Sequence, residues 1–325
     1  MVLKAPVGPR EKGVLLVQFS EVIGALPGRV DLEVLNQSYR LVLEPSWSGY
    51  CDPAILQYAR LADHTVVLAA ETHDYDFLQG AGSTLVPVAI GPCDWVDPRV
   101  AEPHLGLPKQ FDLVLNSNWA PWKRHFVLFE ALRRLPRSLQ VALIGVPWNN
   151  GSAEGIREIA RYYGVEDRLT FFEGIPYQEV MRVTSQSRVA ALLSRKEGSN
   201  RSLSEALFCD VPAILIDEHV GGIRKNVNAA TGLIVPEADL ARGITQLLAQ
   251  APNLQPRAWA LNNVSCIRTT ERLNTVLKDI ALRAGEEWTT DIVVHSNSPE
   301  ARYYAPEHAA ALADANNAVA LSLSR

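Results

Sequence analysis

The chain is poor in the residues that staple a fold or hold a metal. It has four cysteines in 325 residues, Cys51, Cys93, Cys209 and Cys266, and no two of them form a CxxC pair. Zinc ribbons and dithiol redox centres are therefore disfavoured. Widely spaced thiols fit a reducing, cytoplasmic setting. No apolar run reaches the roughly 18 residues that a bilayer-spanning helix needs. The first stretch, Met1 to Lys12, has charges and prolines but no apolar signal core. Peripheral membrane contact stays open. Positive charge is also scarce: the formal net charge is -5. Without clustered Lys and Arg, a phosphate backbone finds no partner, so nucleic acid is not expected. Three fingerprints are missing too. The lack of GxGxxG and GxxxxGK[ST] disfavours dinucleotide enzymes and P-loop NTPases. The lack of GxSxG disfavours a hydrolase elbow.

What is present is an ordinary globular composition, 47% hydrophobic and 21% charged. The length suggests two domains. Short apolar runs at 14–18, 40–44, 65–69 and 84–88 read as strands, with helical stretches near 53–63 and 73–80. The Pro- and charge-rich segment Pro92 to Lys109 reads as a linker. A second series of strands follows at 111–115, 140–144, 169–172, 189–193, 213–216 and 233–235. Leu128, Ala131, Leu132 and Leu135 fall at helical spacing, and Pro136 stops that helix. Nearly continuous apolar strands alternating with helices imply an α/β fold with parallel sheets covered on both faces. Such sheets bind ligands at the carboxyl ends of their strands. The expected domains are 1–105, 106–285, and a tail over 286–325. Thr269 to Ala284 reads as a helix, and an Ala-rich helix from Pro306 to Leu321 could pack back on the N-terminal domain.

Residues 193–212 carry the most chemistry. A buried strand ends near Ser194, and a polar loop from Glu197 to Arg201 opens a helix with Leu203, Ala206 and Leu207 on its apolar face. Free backbone N–H groups at a helix start, with the helix dipole behind them, suit a phosphate. Arg201 would add a fixed positive charge. A plainer reading stands beside this one: Ser202-x-x-Glu205 is a capping box, and Glu205 could serve only the helix's own amides. Glu197 could equally be a solvated loop charge.

The longer order of landmarks is more specific. Glu197 and Glu205 have seven residues between them. Pro212, Gly221-Gly222-Ile223 and Thr231 to Pro236 follow. Upstream stand Pro121-Trp-Lys-Arg-His125 with Leu128, then Val141 to Gly145, then Phe172 to Pro176. Over about 110–250 this order resembles the C-terminal domain of retaining GT-B glycosyltransferases of the group 1 type, related to sucrose synthase and the bacterial mannosyl- and glucosyltransferases. The resemblance implies two Rossmann-like domains facing a cleft. It implies Glu205 on the ribose hydroxyls, Glu197 on the transferred sugar and Lys123 on the diphosphate. Backbone amides through Gly198, Ser199, Asn200, Arg201, Ser202 and Leu203 would meet the sugar or the diphosphate. Gly145, Glu173 and Gly174 would surround the base. The family's arginine before that lysine is replaced by Asn118, so Arg124 or Arg201 is expected to supply its charge. Lys225 stands where the family often has an acid.

The N-terminal half matches less. No glycine-rich opening loop is visible, so this domain is expected to be reduced. Its strand ends offer Glu44, Trp47, Tyr50 and His73 as acceptor-side candidates, because aromatic faces pack on sugar rings. Alternatively Trp47 and Tyr50 are buried in a packed loop, and His73 belongs to a solvated helix start. Asp74-Tyr-Asp76 resembles the metal-binding DxD of another glycosyltransferase fold, but acids in a helix's first turn also follow from the dipole alone. The expected function is transfer of a sugar from a nucleotide-diphosphate co-substrate to a sugar, glycan or glycoconjugate hydroxyl. Retention of configuration is expected, with no metal or other cofactor. A nucleotide-sugar epimerase and a binding protein without transfer activity are the alternatives.

Overall fold

A computed structural model describes residues 1–45 and 52–323. The chain divides into two compact units. Unit 1 joins Met1–Asp97 to Val264–Arg325, and unit 2 is Pro98–Asn263.

Unit 1 begins with β1 (Val2–Lys4), β2 (Gly13–Gln18), α1 (Ser20–Ala25), α2 (Leu32–Ser38) and β3 (Tyr39–Glu44). It continues with α3 (Pro53–Leu56), β4 (Thr65–Leu68), α4 (Thr72–Gly80) and β5 (Leu85–Val88). Strands β2 to β5 pair in parallel in chain order, and β1 adds an antiparallel edge to β2. Both faces are covered, so successive residues of one strand enter different cores. Leu15, Val17, Leu41 and Leu43 pack in one. Val14, Leu16, Val42 and Val66 pack in the other. The sequence reading missed β1 because its Lys4 looks like a surface residue. Lys4 is in fact 3% exposed. Its ammonium pairs with Glu11 at 2.6 Å and lies 3.7 Å from the Trp288 ring centre.

Unit 2 contains β6 (Phe111–Asn116), α5 (His125–Leu132), β7 (Val141–Gly145), α6 (Ala153–Tyr163), β8 (Leu169–Glu173) and α7 (Tyr177–Ser185). After these come β9 (Ser187–Leu192), α8 (Arg201–Phe208), β10 (Ala213–Ile216), β11 (Gly232–Val235), α9 (Leu240–Gln250) and α10 (Pro256–Asn263). All pairs are parallel, in the order β11-β10-β9-β6-β7-β8. That is the doubly wound order, in which the chain winds out to β8 and then restarts at β9 on the other side of β6. Leu113, Leu143 and Val189 from the sheet meet Leu128 and Leu132 of α5 and Ile244 and Leu247 of α9. The topological switch point therefore lies between β6 and β9.

The chain then returns to unit 1 as α11 (Cys266–Arg283), β12 (His295–Asn297), β13 (Ala301–Tyr303), α12 (Pro306–Ala311) and α13 (Ala313–Leu323). Here the division differs from the expected boundary at 285. Leu273 and Leu277 of α11 bury among Val14, Val42 and Trp95, and Thr269 Oγ1 donates to Asp94 O at 2.6 Å. Val319 and Leu323 of α13 also pack on the unit 1 core. No helix among the described residues is long and apolar enough to cross a membrane.

Candidate functional site

The loops after β6 and β9 flank the switch point, and they meet. Lys123 Nζ donates to Glu197 Oε1 at 2.7 Å. The two side chains are only 13% and 10% exposed. Lys123 closes a 3-10 turn over Pro121–Lys123. Arg124 then takes φ 58°, ψ 43°, a left-handed conformation usually left to Gly, and α5 starts at the next residue. His125 is buried, and its Nε2 lies 3.2 Å from Ser117 Oγ. Burial, then the nearby Lys123 charge, pushes its pKa down to about 4. The turn therefore rests on a neutral imidazole.

Glu197 is held on several sides. Ser194 Oγ donates to Oε1 at 2.5 Å and Asn200 Nδ2 to Oε2 at 3.0 Å. Burial pushes its carboxyl up, but the Lys123 charge and the three hydrogen bonds outweigh it and hold the pKa below the ordinary 4.5. The main chain of this loop is tied to the loop after β10. Glu197 N donates to Val220 O at 3.0 Å, Val220 N to Arg195 O at 2.7 Å and Gly222 N to Gly198 O at 2.9 Å. Gly221 is required by close approach: a Cβ there would lie 2.5 Å from Glu197 O.

Helix α8 begins one residue after this cluster. Its cap is Asn200, whose Oδ1 accepts from Leu203 N at 2.9 Å. This corrects the capping box expected from Ser202 and Glu205. Ser202 Oγ instead donates to Asn116 O at 3.0 Å and Asn200 Oδ1 at 2.9 Å, tying α8 to the end of β6. Glu205 is 4% exposed. Its Oε1 pairs with Arg201 Nε at 3.2 Å and accepts from Tyr177 OH at 3.1 Å. Two side-chain donors therefore hold this carboxylate.

The remaining candidates sit at the same strand ends. A Cβ on Gly145 would lie 2.4 Å from Ser117 O, so β7 and β6 end in contact. Gly174 has φ 63°, and its N–H donates to Gly145 O at 3.0 Å. Glu173 accepts from the buried Trp119 Nε1 at 2.5 Å. Asn118 Oδ1 accepts from Ala120 N at 3.3 Å and shapes the turn. Arg124 is occupied elsewhere. Its two terminal nitrogens each donate to Glu237 at 2.8 Å, a bidentate fork. Neither arginine expected to replace the family's missing one is aimed away from a carboxylate. Lys123 is the cation nearest Glu197. A cavity of about 440 Å³ lies beyond the Arg124–Glu237 fork against α5 and α9, not over Lys123 and Glu197.

In unit 1 the acceptor-side expectations fare differently. Glu44 is 2% exposed, with Gln18 Nε2 and Trp95 Nε1 each donating to it at 2.5 Å. Burial pushes its pKa up to about 7. It is a buried carboxyl held by two side-chain donors. Trp47 and Tyr50 lie outside the described residues. His73 is exposed on the first turn of α4, beside the cap residue Glu71 at 2.9 Å. Asp74 is buried and Asp76 exposed, so the two carboxylates diverge. In unit 2, His219, after β10, borders the Glu197 cluster. It is 2% exposed, and its Nδ1 lies 2.7 Å from Ser194 O. No motif marks it.

With this geometry in place, the comparisons are consistent. Residues 102–260, all in unit 2, match the family described as Glycosyl transferases group 1. Anabaena Alr3699/HepE, solved in complex with UDP and glucose, aligns with a TM-score of 0.62 over 81% of this chain and 78% of its own, at 17% identity. Sucrose-phosphate synthase from Thermosynechococcus elongatus aligns with a TM-score of 0.57 over 84% and 72%, at 19% identity. The D-inositol 3-phosphate glycosyltransferase of Mycobacterium sp. (strain JLS) is 27% identical over 169 residues. That match spans 50% of this chain and 38% of the relative. The fold is GT-B. Just under half of the chain, residues 102–260, resembles a group 1 glycosyl transferase domain.

Proposed function

We propose that unit 2 binds a nucleotide-diphosphate sugar at its switch point and that the protein transfers the sugar to an acceptor hydroxyl. The observation that carries this reading is the Lys123–Glu197 pair at 2.7 Å, set between β6 and β9 at the start of α8. On binding, the diphosphate takes over Lys123, and Glu197 is freed to accept hydrogen bonds from the sugar. Glu205 accepts from the ribose hydroxyls, with Tyr177 and Arg201 fixing its carboxylate. The strand ends at Gly145, Glu173 and Gly174 receive the base.

The bond between the anomeric carbon and the diphosphate breaks as the acceptor oxygen bonds to the same face. The acceptor's proton passes to the departing phosphate. Lys123 and the amides that open α8 stabilise the leaving charge, so neither a metal nor a protein base is invoked. The expected acceptor is a sugar, glycan or glycoconjugate, and the buried thiols Cys93, Cys209 and Cys266 suit a cytoplasmic enzyme.

The test is incubation of UDP-, ADP- and GDP-sugars with and without an acceptor panel, with products separated by anomer. Transfer with retained configuration in the presence of a chelator is expected. Donor isomerisation without acceptor would indicate an epimerase instead. Tight nucleotide binding with neither transfer nor donor hydrolysis would indicate a binding protein.

A further inference from the structure

Glu197 is reached indirectly by one more residue. His219 follows β10, and its Nδ1 lies 2.7 Å from Ser194 O. A carbonyl oxygen only accepts, so Nδ1 carries the proton. Burial is the largest influence and holds the pKa below the ordinary 6.5; it outweighs the support from Ser194 O and Glu197, and Arg224 and Lys123 add a smaller opposition to charge. The ring is therefore neutral, with a lone pair on Nε2. That atom is buried without a hydrogen-bond partner among the described residues. It sits against Gly221, where a Cβ would lie 2.6 Å away. The imidazole is thus wedged between the Ser194 carbonyl and the Gly221 turn. Ser194 is also the residue whose hydroxyl donates to Glu197 Oε1 at 2.5 Å.

We propose that His219 is a positioning residue: it fixes Ser194, and through Ser194 it aims the Glu197 carboxylate at the transferred sugar. This rests on the donor-site reading above. The nucleotide itself is gripped by Lys123 and Glu205, which His219 does not touch. Loss of His219 should therefore slow sugar chemistry and leave nucleotide affinity in place.

The experiment compares the wild type, H219L and H219N. Leu keeps the volume without a donor, whereas Asn places an amide N–H near the Nδ1 position. Turnover is read as donor hydrolysis with the best-bound of UDP-, ADP- and GDP-glucose. Affinity for the matching nucleoside diphosphate is read by calorimetry. H219L is expected to lower kcat at least about tenfold with nucleotide Kd within about twofold, and H219N to recover most of the rate. If the wild type binds the sugar nucleotide without turnover, the same contrast is read from its affinity relative to the bare diphosphate. H219L equal to wild type, H219N no better than H219L, or a parallel loss of kcat and nucleotide affinity would each overturn the proposal. A wild type that binds none of the nucleotides overturns the donor site itself, and the role of His219 with it.

Discussion

Replacing Lys123 by Met separates two jobs of one ammonium group. In the unliganded protein it neutralises Glu197 at 2.7 Å, where both side chains are about nine-tenths buried. Breaking one side of such a pair costs about 3–5 kcal/mol. Ser194 and Asn200 continue to donate to Glu197, so about 3 kcal/mol of folding stability is the expected loss. In the complex the same group meets the diphosphate. One charge-assisted contact contributes about 1.5–3 kcal/mol, or about 10- to 100-fold in affinity. Calorimetry with UDP and with uridine measures the second job, and denaturant melts measure the first. UDP should weaken by that factor while uridine is unchanged. The double variant K123M/E197Q should regain most of the stability and none of the UDP affinity. Unchanged UDP binding in K123M, or an equal fall for uridine, would refute the reasoning.

Three further outcomes are expected. Gly221→Ala places a Cβ 2.5 Å from Glu197 O, and the resulting shift should cost about 1–3 kcal/mol in denaturant melts and lower turnover. Wild-type turnover in this variant would show that the two loops are not tightly joined. Tyr177→Phe removes one hydrogen bond to Glu205, worth about 1 kcal/mol. UDP should bind about fivefold more weakly, with a smaller effect on a 2′,3′-dideoxy analogue; equal losses would place Glu205 away from the ribose. Glu44 has a folded pKa raised to about 7 from 4.5. The unfolded chain therefore ionises first, and stability falls as pH rises from about 4.5 to about 7, by about 3 kcal/mol. E44Q should flatten that part of the stability–pH curve, and an unchanged slope would show that Glu44 is not its source.

The strands were legible because a sheet covered on both faces selects unbroken apolar runs, and all ten runs read from the sequence became strands. Boundaries moved by one or two residues, as at Ser187–Leu192. Edge strand β1 was not legible, since its buried Lys4 reads as surface until Glu11 and Trp288 are seen beside it. Helix α11 was legible as a helix, but its sequence alone does not say which core receives Leu273 and Leu277. Within the candidate site, order along the chain singled out Lys123, Glu197 and Glu205, and the structure pairs the first two. Their partners were not. Arg124 and Glu237 are 113 residues apart, and His219 reaches Ser194 across 25. Such pairs depend on parallel strands bringing distant loops together. Asn200 and Ser202 are both acceptable caps, so only the backbone decides that α8 starts after Asn200.

A crystal structure of the protein grown with UDP addresses the central proposition most directly. Diphosphate density within hydrogen-bond reach of Lys123 Nζ, with the ribose on Glu205 and Lys123 drawn off Glu197, is the expected result. Nucleotide bound away from the β6 and β9 loops, or an intact Lys123–Glu197 pair in a fully occupied complex, would contradict it.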